Sequence, residues 1–320
     1  MKVKLVQLHH PYNTEQIINT PVVLAMGFFD GVHLGHQEVI KTAYKIAQRK
    51  GIKLAVLTYI NHPIMTFDHT IKGNFKYLTN YSQKLSLLNK LHVDIVYAVN
   101  FTSSLGRLSP QEFVNKYMIG LHAVDVVAGY DHTYGKRDKA TMDLLKNYSH
   151  GKFAIHTVKP IKQNGLKISS SNIRKLIDNG NVALAAKLLG HHYQNSGFIV
   201  HGNQIGRKFG FPTANINIPY DQRIPKQGVY SSWLKINDQW YLGMTSIGTN
   251  DTVQSNGKVT IETHLLDFTN EVYGEYVNIA WGCFLRENQK FKNPEALVQQ
   301  LKKDLQTTRD FGSKHKIIDL

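Results

Sequence analysis

A glycine-rich segment near the start of the chain contains two histidines three residues apart, Gly27-Phe28-Phe29-Asp30-Gly31-Val32-His33-Leu34-Gly35-His36. The glycines allow the backbone to approach a ligand closely. A helix that begins here would offer free N–H groups and a partial positive charge, and both imidazoles would face the same anion. Such a turn suits nucleotidyl transfer at an α-phosphate, which requires positioned groups and charge stabilisation rather than a covalent intermediate. The candidate ATP-binding residues are Gly27, Phe28, Asp30, Gly31 and Gly35, with His33 and His36 as catalytic residues.

The segment also has a purely structural interpretation, a glycine-rich turn with two surface histidines. It lacks the Gly-Lys-Ser/Thr of a Walker A loop and the spacing of a dinucleotide fingerprint. A second segment, residues 168–174 (ISSSNIR), favours the functional interpretation. Its serines would either cap the helix that follows or bind phosphate beside an arginine whose planar guanidinium suits a triphosphate. The candidates are Ser169, Ser170, Ser171 and Arg174.

A third segment with suitable chemistry is GRKFGFPTANI, residues 206–216. Its glycines would form a tight loop near phosphate, and the Arg-Lys pair between them adds positive charge. Thr213 and Asn215 are two residues apart, so an extended strand places both side chains on one side. Their neutral oxygens, with nucleotide phosphates, would suit Mg²⁺. The alternative is an ordinary Gly-Pro turn before a strand. The candidate ATP-binding residues here are Gly206, Lys208, Gly210, Thr213 and Asn215.

A carboxylate interrupts an otherwise apolar strand pattern at Glu262, within VTIETHLLDF (259–268). On the solvent face of a strand it would need no function. In a site it would accept the proton of a substrate hydroxyl while that oxygen attacks the γ-phosphate of ATP. Glu262 is therefore a candidate catalytic base.

Strand-like and helical patterns alternate up to about residue 190. Helical patterns cover 36–51, 81–92 and 109–120, and the runs rich in Val, Ile and Leu that are typical of strands buried on both faces cover 21–27, 53–59, 94–101, 124–130 and 153–160. The alternation predicts an α/β fold, a Rossmann-like nucleotidyltransferase domain with a parallel sheet and right-handed crossovers. Ligands of such sheets bind beyond the carboxyl ends of the strands.

From about residue 195 the pattern changes to recurring strands separated by turn signals, among them Asn237-Asp238 and Asn256-Gly257. The amphipathic segment 293–311 begins with Asn-Pro-Glu, which is typical of a helix start. We predict a small antiparallel β-barrel with a terminal helix. The chain would then divide into domains 1–189 and 190–320.

The composition constrains the partners. The chain has 38 Lys and Arg against 23 Asp and Glu, a formal net charge of +15, which favours anionic ligands. Apart from KRDK at 136–139 the basic residues are scattered, which argues against a dedicated nucleic-acid binder. The single cysteine, Cys283, excludes an intramolecular disulfide, and neither a signal-peptide core nor a bilayer-spanning run is present. We expect a cytoplasmic protein with small-molecule partners and no nucleic-acid or membrane partner; the sequence leaves its oligomeric state open.

Taken together, GFFDGVHLGHQ (27–37) and ISSSNIR (168–174) resemble the adenylyltransferase module of prokaryotic bifunctional riboflavin kinase/FMN adenylyltransferases, or FAD synthetases. GRKFGFPTANI and IETHLLDF (261–268) resemble their riboflavin kinase module, and the resemblance covers nearly the whole chain. It implies two reactions: riboflavin is phosphorylated to FMN with Mg·ATP, and FMN is then adenylylated to FAD with release of pyrophosphate.

The resemblance also implies roles for individual residues. The histidines of the first segment would contact the ATP phosphates, the 169–174 segment would bind the triphosphate, and Glu262 would be the general base of the kinase. Thr213 and Asn215 would be the Mg·ATP ligands. The implied flavin-binding residues are His62, Asp131 and Arg286.

Two departures from the family pattern keep other interpretations open. Residues 129–141 (GYDHTYGKRDKAT) lack glycines that the family usually has there, and Asp251-Thr252-Val253 replaces the usual Pro-Thr-Phe. In one alternative both folds are kept but only one site works, with the adenylyltransferase as the retained activity. In another the chain is a non-catalytic flavin- or nucleic-acid-binding regulator, which predicts steeply salt-dependent nucleic-acid binding without ATP turnover.

Overall fold

The computed structural model describes residues 3–67, 75–163, 165–202, 205–249 and 259–318. These described residues divide into two compact units, one made of 1–75 with 81–170 and the other of 76–80 with 171–320. The division by contacts thus falls near residue 170. The domain boundary between residues 189 and 190 that the sequence predicts stays a prediction. No helix in the described ranges is long and apolar enough to cross a membrane.

The first unit is built on a parallel sheet, which has six strands in the described part of the chain and the order β1-β4-β3-β2-β5-β6. Five of the strands lie at the predicted positions, and β2 is buried along its whole length, as expected for a strand covered on both faces. The strands are β1 (Lys4–His9), β2 (Val22–Met26), β3 (Lys53–Tyr59), β4 (Ile95–Asn100), β5 (Ala123–Gly129) and β6 (Ala154–Val158).

The sequence pattern does not predict strand β1. Its sequence KLVQLH buries only Val6 and Leu8, on alternate positions. It pairs with β4 at the edge of the sheet. A six-residue strand with two apolar residues on its buried face gives a weaker sequence pattern than the apolar runs of the central strands.

Helices connect these strands, and three of them lie where the sequence predicts helices: α1 (Leu34–Lys50), α3 (Tyr81–Lys90) and α5 (Pro110–Tyr117). Helix α1 shows why. Its apolar residues fall on one buried face, from Val39 to Ala47, and Gly51 ends the helix in the left-handed conformation. A capping box of Ser109 and Glu112 starts α5. The helices of the unit are α1 (Leu34–Lys50), α2 (Ile64–Phe67), α3 (Tyr81–Lys90), α4 (Ser103–Gly106), α5 (Pro110–Tyr117) and α6 (Leu145–Ser149), and a short hairpin pairs β7 (Lys162–Gln163) with β8 (Leu166–Lys167).

The second unit contains helices α7 (Ser170–Asp178), α8 (Val182–Leu189) and α9 (Pro294–Lys314) and a closed barrel. Within the described residues the barrel has six antiparallel strands in the order β10-β13-β12-β11-β14-β9, with β9 paired to β10. They are β9 (Gln194–Val200), β10 (Ala214–Asn217), β11 (Gly228–Ile236), β12 (Gln239–Thr249), β13 (Val259–Leu265) and β14 (Tyr276–Arg286). The predicted barrel and terminal helix are confirmed.

The two predicted turn dipeptides have different outcomes. Asn237 and Asp238 join β11 to β12 with φ angles of 47° and 64°, as a two-residue hairpin turn requires. Asn256-Gly257 lies outside the described residues, and so does the departure at 251–253.

A chain of buried hydroxyl groups links three strands of the barrel. Ser232 and Thr245 lie 2.6 Å apart between their side-chain oxygens, and Thr245 and Thr263 lie 2.8 Å apart. The three side chains have no exposed surface. The Ser232 hydroxyl also donates to the Gly243 carbonyl oxygen at 3.2 Å. Each of the three buried hydroxyl groups is therefore hydrogen-bonded.

We expect Thr245→Val to lower the free energy of unfolding by about 1–3 kcal/mol, because it leaves the Thr263 hydroxyl buried without this partner. Urea unfolding followed by circular dichroism measures the change. The control is Thr307→Val at an exposed helix position, where we expect a change within about 0.5 kcal/mol. Equal effects of the two variants would contradict the interpretation.

Candidate active sites

The turn between β2 and α1 has an unusual backbone conformation. Phe29, Gly31 and Val32 have positive φ angles of 56°, 82° and 39°, a region that is costly for side chains other than glycine. The side chains of Phe29 and Val32 are 1% and 0% exposed, so their burial offsets the strain and fixes the turn. A Cβ atom at Gly27 would lie 2.9 Å from the Phe29 ring, so this position requires glycine.

His33 and His36 stand together at the start of α1. His33 is the N-cap, and its Nδ1 accepts a hydrogen bond from the His36 backbone N–H at 3.2 Å. Because Nδ1 is the acceptor, the proton of the neutral ring lies on Nε2. The two rings stack with their centroids 3.6 Å apart. The turn thus combines two imidazoles with the N-terminus of a 17-residue helix, an arrangement suited to an anion.

The sheet order brings further predicted residues to the same edge. The turn follows β2, His62 follows β3, and Asp131 follows β5, and these three strands are neighbours. The His62 ring packs edge-on against Phe28 at 4.6 Å between centroids. Asp131 is exposed and forms an ion pair with Lys167 at 3.1 Å. The edge is the one at which parallel α/β sheets bind ligands.

The serine segment reaches this turn through Ser170. The Ser170 hydroxyl donates a hydrogen bond to the Asp30 carbonyl oxygen at 3.0 Å, and Asp30 is 2% exposed. Ser169 precedes α7. Ser171 and Arg174 lie on α7 itself, in the second unit.

A mainly apolar cavity of about 450 Å³ lies in the first unit, and sequence reasoning did not find it. Its wall comes from loops and helices that are distant in sequence, so no local pattern indicates it. The rim includes Lys136, from the KRDK run. Its aromatic and aliphatic lining comprises Tyr59, Pro63, Phe67, Phe101, Leu105, Leu108, Phe113 and Tyr134.

In the barrel unit, the structure brings three of the predicted kinase residues together. Thr213 donates a hydrogen bond from Oγ1 to Glu262 Oε2 at 3.1 Å. Asn215 is the cross-strand partner of Glu262, so their side chains project from the same face of the sheet. Ser246 of β12 is the partner of Glu262 on its other side. A carboxylate is thereby surrounded by neutral oxygen-bearing side chains.

The loop before Thr213 is tightly closed. A Cβ atom at Gly206 would lie 2.2 Å from the carbonyl oxygen of Phe211, which explains the glycine. Gly210 has a positive φ of 80°. Lys208 is exposed and does not line either barrel cavity described below, whereas Arg207 lines one of them and donates to the Tyr273 hydroxyl at 3.3 Å. Of the Arg-Lys pair, the arginine is the one directed to a cavity.

The described residues of the barrel unit line two cavities that both reach Thr213. One, of about 560 Å³, is also lined by Gly206, Glu262 and Arg286. The other, of about 350 Å³, is lined by Arg207 and by the segment from Phe268 to Tyr273. A group placed at Thr213 would therefore be accessible from both cavities.

Arg286 forms a wall of the larger cavity and is fixed to α9. Its Nε and Nη2 atoms donate to the Asp304 carboxylate at 2.9 and 2.8 Å, and its Nη1 donates to the Glu287 carbonyl oxygen at 3.0 Å. Asp304 is 4% exposed. Leu297 and Leu301 of the same helix line the cavity, so this ion pair holds α9 against the site.

The fold defines a class of protein in which a nucleotidyltransferase-like parallel sheet is followed by a separate closed β-barrel, each with its own candidate site. Comparison with known families agrees with this class. Residues 15–172 match the family model described as FAD synthetase, and residues 189–311 match the one described as riboflavin kinase.

Curated relatives extend the match over nearly the whole chain. A bifunctional riboflavin kinase/FMN adenylyltransferase from Listeria monocytogenes is 45% identical over 98% of this chain and 99% of the relative. One from Bacillus subtilis is 37% identical over 95% and 96%. A crystal structure of a macrolide-efflux protein from Streptococcus pneumoniae has the same fold, with a TM-score of 0.88 and 34% identity over 95% of this chain and 99% of that one. The chain belongs to the bifunctional riboflavin kinase/FMN adenylyltransferase family.

We expect Arg286→Met to destabilise the barrel unit by about 3–5 kcal/mol, because it leaves the Asp304 carboxylate buried without its counter-ion. The double variant Arg286→Met/Asp304→Leu should recover much of that loss, since it removes both charges. Chemical denaturation of the wild-type protein, Arg286→Met and the double variant measures the free energy of unfolding of each.

The control for this comparison is the exposed pair of Arg309 and Asp267, whose disruption should leave the unfolding midpoint nearly unchanged. If the double variant were as unstable as Arg286→Met alone, the loss of stability would not come from the unpaired Asp304 carboxylate.

Proposed function

We propose that the turn of His33 and His36 and the cavity of Glu262 are the two active sites of this enzyme of FAD biosynthesis. The enzyme phosphorylates riboflavin to FMN with ATP, and it transfers AMP from ATP to FMN, which gives FAD and pyrophosphate. One observation carries the assignment of sites. Each unit has its own arrangement suited to phosphate chemistry: imidazoles at a helix N-terminus in one, and a carboxylate hydrogen-bonded to Thr213 in the other.

In the proposed kinase reaction, ATP occupies the cavity lined by Arg207 and Tyr273, and riboflavin occupies the larger cavity beneath α9. The γ-phosphate then lies near Thr213, which both cavities share. Glu262 accepts the proton of the ribityl 5′-hydroxyl as that oxygen bonds to the γ-phosphorus, and the bond to the β-phosphate oxygen breaks to release ADP. Arg286 keeps the flavin side of the cavity in place through Asp304.

The donor set supports Mg²⁺ as the metal of the kinase site. Thr213 and Asn215 offer neutral oxygens beside the Glu262 carboxylate, and Mg²⁺ prefers oxygen ligands while it keeps several waters. The two neutral side chains would hold Mg²⁺ together with ATP phosphates and water. When bound, Mg²⁺ neutralises charge on the transferring phosphate. Among the described residues, no group of three or more His, Cys, Asp or Glu side chains is placed to hold a metal ion.

In the proposed adenylyl transfer, a phosphate oxygen of FMN attacks the α-phosphorus of ATP and pyrophosphate leaves. The FMN phosphate is already ionised, so the step requires no strong base. His33 and His36 and the N-terminus of α1 stabilise the charge that develops on the phosphate oxygens. The strained turn would serve as a preformed cradle, because the buried side chains of Phe29 and Val32 fix its backbone.

The apolar cavity of the first unit is the proposed place for the isoalloxazine ring, with Lys136 at its rim. His62 contributes through its ring contact with Phe28, and Asp131 stays a predicted flavin contact. The assignment of Ser169, Ser170, Ser171 and Arg174 to the triphosphate rests on the sequence and also stays a prediction. The proposed location is the cytoplasm, and the proposed partners are riboflavin, FMN, FAD, ATP and pyrophosphate.

Partial reactions on single variants test the assignment. We expect His36→Ala to reduce FAD formation from FMN and ATP by about 100-fold or more, and to leave FMN formation from riboflavin unchanged. Glu262→Gln should do the reverse. Chromatographic separation of riboflavin, FMN and FAD after incubation with Mg·ATP measures both activities in each protein.

The same assay on the wild-type protein tests the alternative in which both folds are kept but only one site works. FAD from FMN without any FMN from riboflavin would show that only the adenylyltransferase works. If His36→Ala formed FAD at the wild-type rate, the phosphate site would have to be placed elsewhere.

A further inference from the structure

Lys84 is a buried cation that neither proposed reaction uses. It lies on α3 and is 4% exposed. Its Nζ donates to the carbonyl oxygens of Phe28 at 3.2 Å and Tyr59 at 3.1 Å, and it lies 3.4 Å from Thr58 Oγ1. Thr58 Oγ1 in turn donates to the Phe28 carbonyl oxygen at 2.9 Å. Burying a lysine is costly unless its ammonium group is well solvated by the protein.

These acceptors lie at one place in the fold. Phe28 follows β2 by two residues, at the start of the strained turn, and Tyr59 is the last residue of the neighbouring strand β3. One ammonium group therefore ties together the carboxyl ends of two adjacent strands. The same Nζ lies 4.5 Å from the centroid of the Phe28 ring, a distance at which a cation is attracted to the ring face.

The contacts with Lys84 are mostly neutral. The two backbone carbonyls and the Thr58 hydroxyl carry no charge. The phenol of Tyr59, on the same strand, is kept neutral because burial raises its pKa well above the ordinary value. From the turn, the carboxylate of Asp30 acts on Lys84 and favours its charged form. Burial outweighs this attraction and lowers the pKa of Lys84 to about 8.

We propose that Lys84 is a positioning residue for adenylyl transfer, whose ammonium group fixes the Phe28 peptide and so keeps the turn of His33 and His36 in the shape that binds ATP. This inference rests on the proposed adenylyltransferase site. An ammonium group donates three hydrogen bonds, whereas a neutral amine donates two and turns a lone pair toward an acceptor. Loss of the proton would thus release the turn and also remove a positive charge from behind it.

The pH dependence has a definite sign. As the pH rises through about 8, the folded chain loses the Lys84 proton while the unfolded chain keeps it up to about 10.5. Between these values the unfolded chain binds more protons, so the contribution of Lys84 to the free energy of unfolding increases with pH. A fall in adenylyl transfer over this range would therefore not arise from unfolding through Lys84.

The test measures both activities of the same molecule as a function of pH. In the wild-type protein we expect kcat/KM for FMN adenylylation to fall above about pH 8. We expect kcat/KM for riboflavin phosphorylation to show no such fall. Lys84→Arg, whose guanidinium stays protonated, should shift that fall to higher pH. Lys84→Met should lower kcat/KM of adenylylation about 100-fold with riboflavin phosphorylation unchanged.

The matched control is Lys45→Met, at an exposed position of α1, which should leave both activities unchanged. Two results would overturn the inference. One is a kcat/KM of FMN adenylylation in Lys84→Met equal to that of the wild-type protein. The other is a fall of kcat/KM at the same high pH in the wild-type protein and in Lys84→Arg. Thermal unfolding followed by circular dichroism shows whether the first unit of Lys84→Met is folded. If it is not, the comparison of wild type with Lys84→Arg decides. Absence of FAD formation in the wild-type protein would instead contradict the proposed function.

Discussion

Each candidate site contains a turn whose backbone is fixed by packing within the protein. In the first unit, the buried side chains of Phe29 and Val32 keep their backbone at positive φ. In the second, Gly206 lies so close to the Phe211 carbonyl oxygen that no side chain fits. Rigid turns of this kind supply oriented N–H groups at no cost in reorganisation when a phosphate binds.

The two proposed sites offer different chemical groups. For adenylyl transfer the FMN phosphate is already a nucleophile, and the proposed site has imidazoles and a helix N-terminus that would stabilise charge. For the kinase reaction a ribityl hydroxyl must lose a proton, and the proposed site has the Glu262 carboxylate that would accept it. The departure at 129–141 leaves the stacked His33 and His36 rings in place. The Thr213–Glu262 contact and the Arg286–Asp304 pair are present in the barrel unit.

The family match and the geometry of the sites are independent observations that agree with each other. The family models cover both units in order along the chain, which identifies the reactions. The structure adds which groups can take part in them: it directs Arg207 rather than Lys208 to a cavity, and it commits the guanidinium of Arg286 to Asp304. The hypothesis of a non-catalytic regulator has no such support, because both family models and the curated relatives are those of enzymes.

The sequence by itself determined the fold class, the positions of five strands of the sheet, the strand pattern of the barrel and a helix after the glycine-rich turn. These depend on apolar periodicity and capping, which act within a few residues of the chain. The tertiary structure decided the rest: the edge strand β1, the apolar cavity, the two cavities that share Thr213, and the burial of Lys84 beneath a turn 56 residues away. Those features depend on strand order and cross-strand register, which local sequence patterns do not specify.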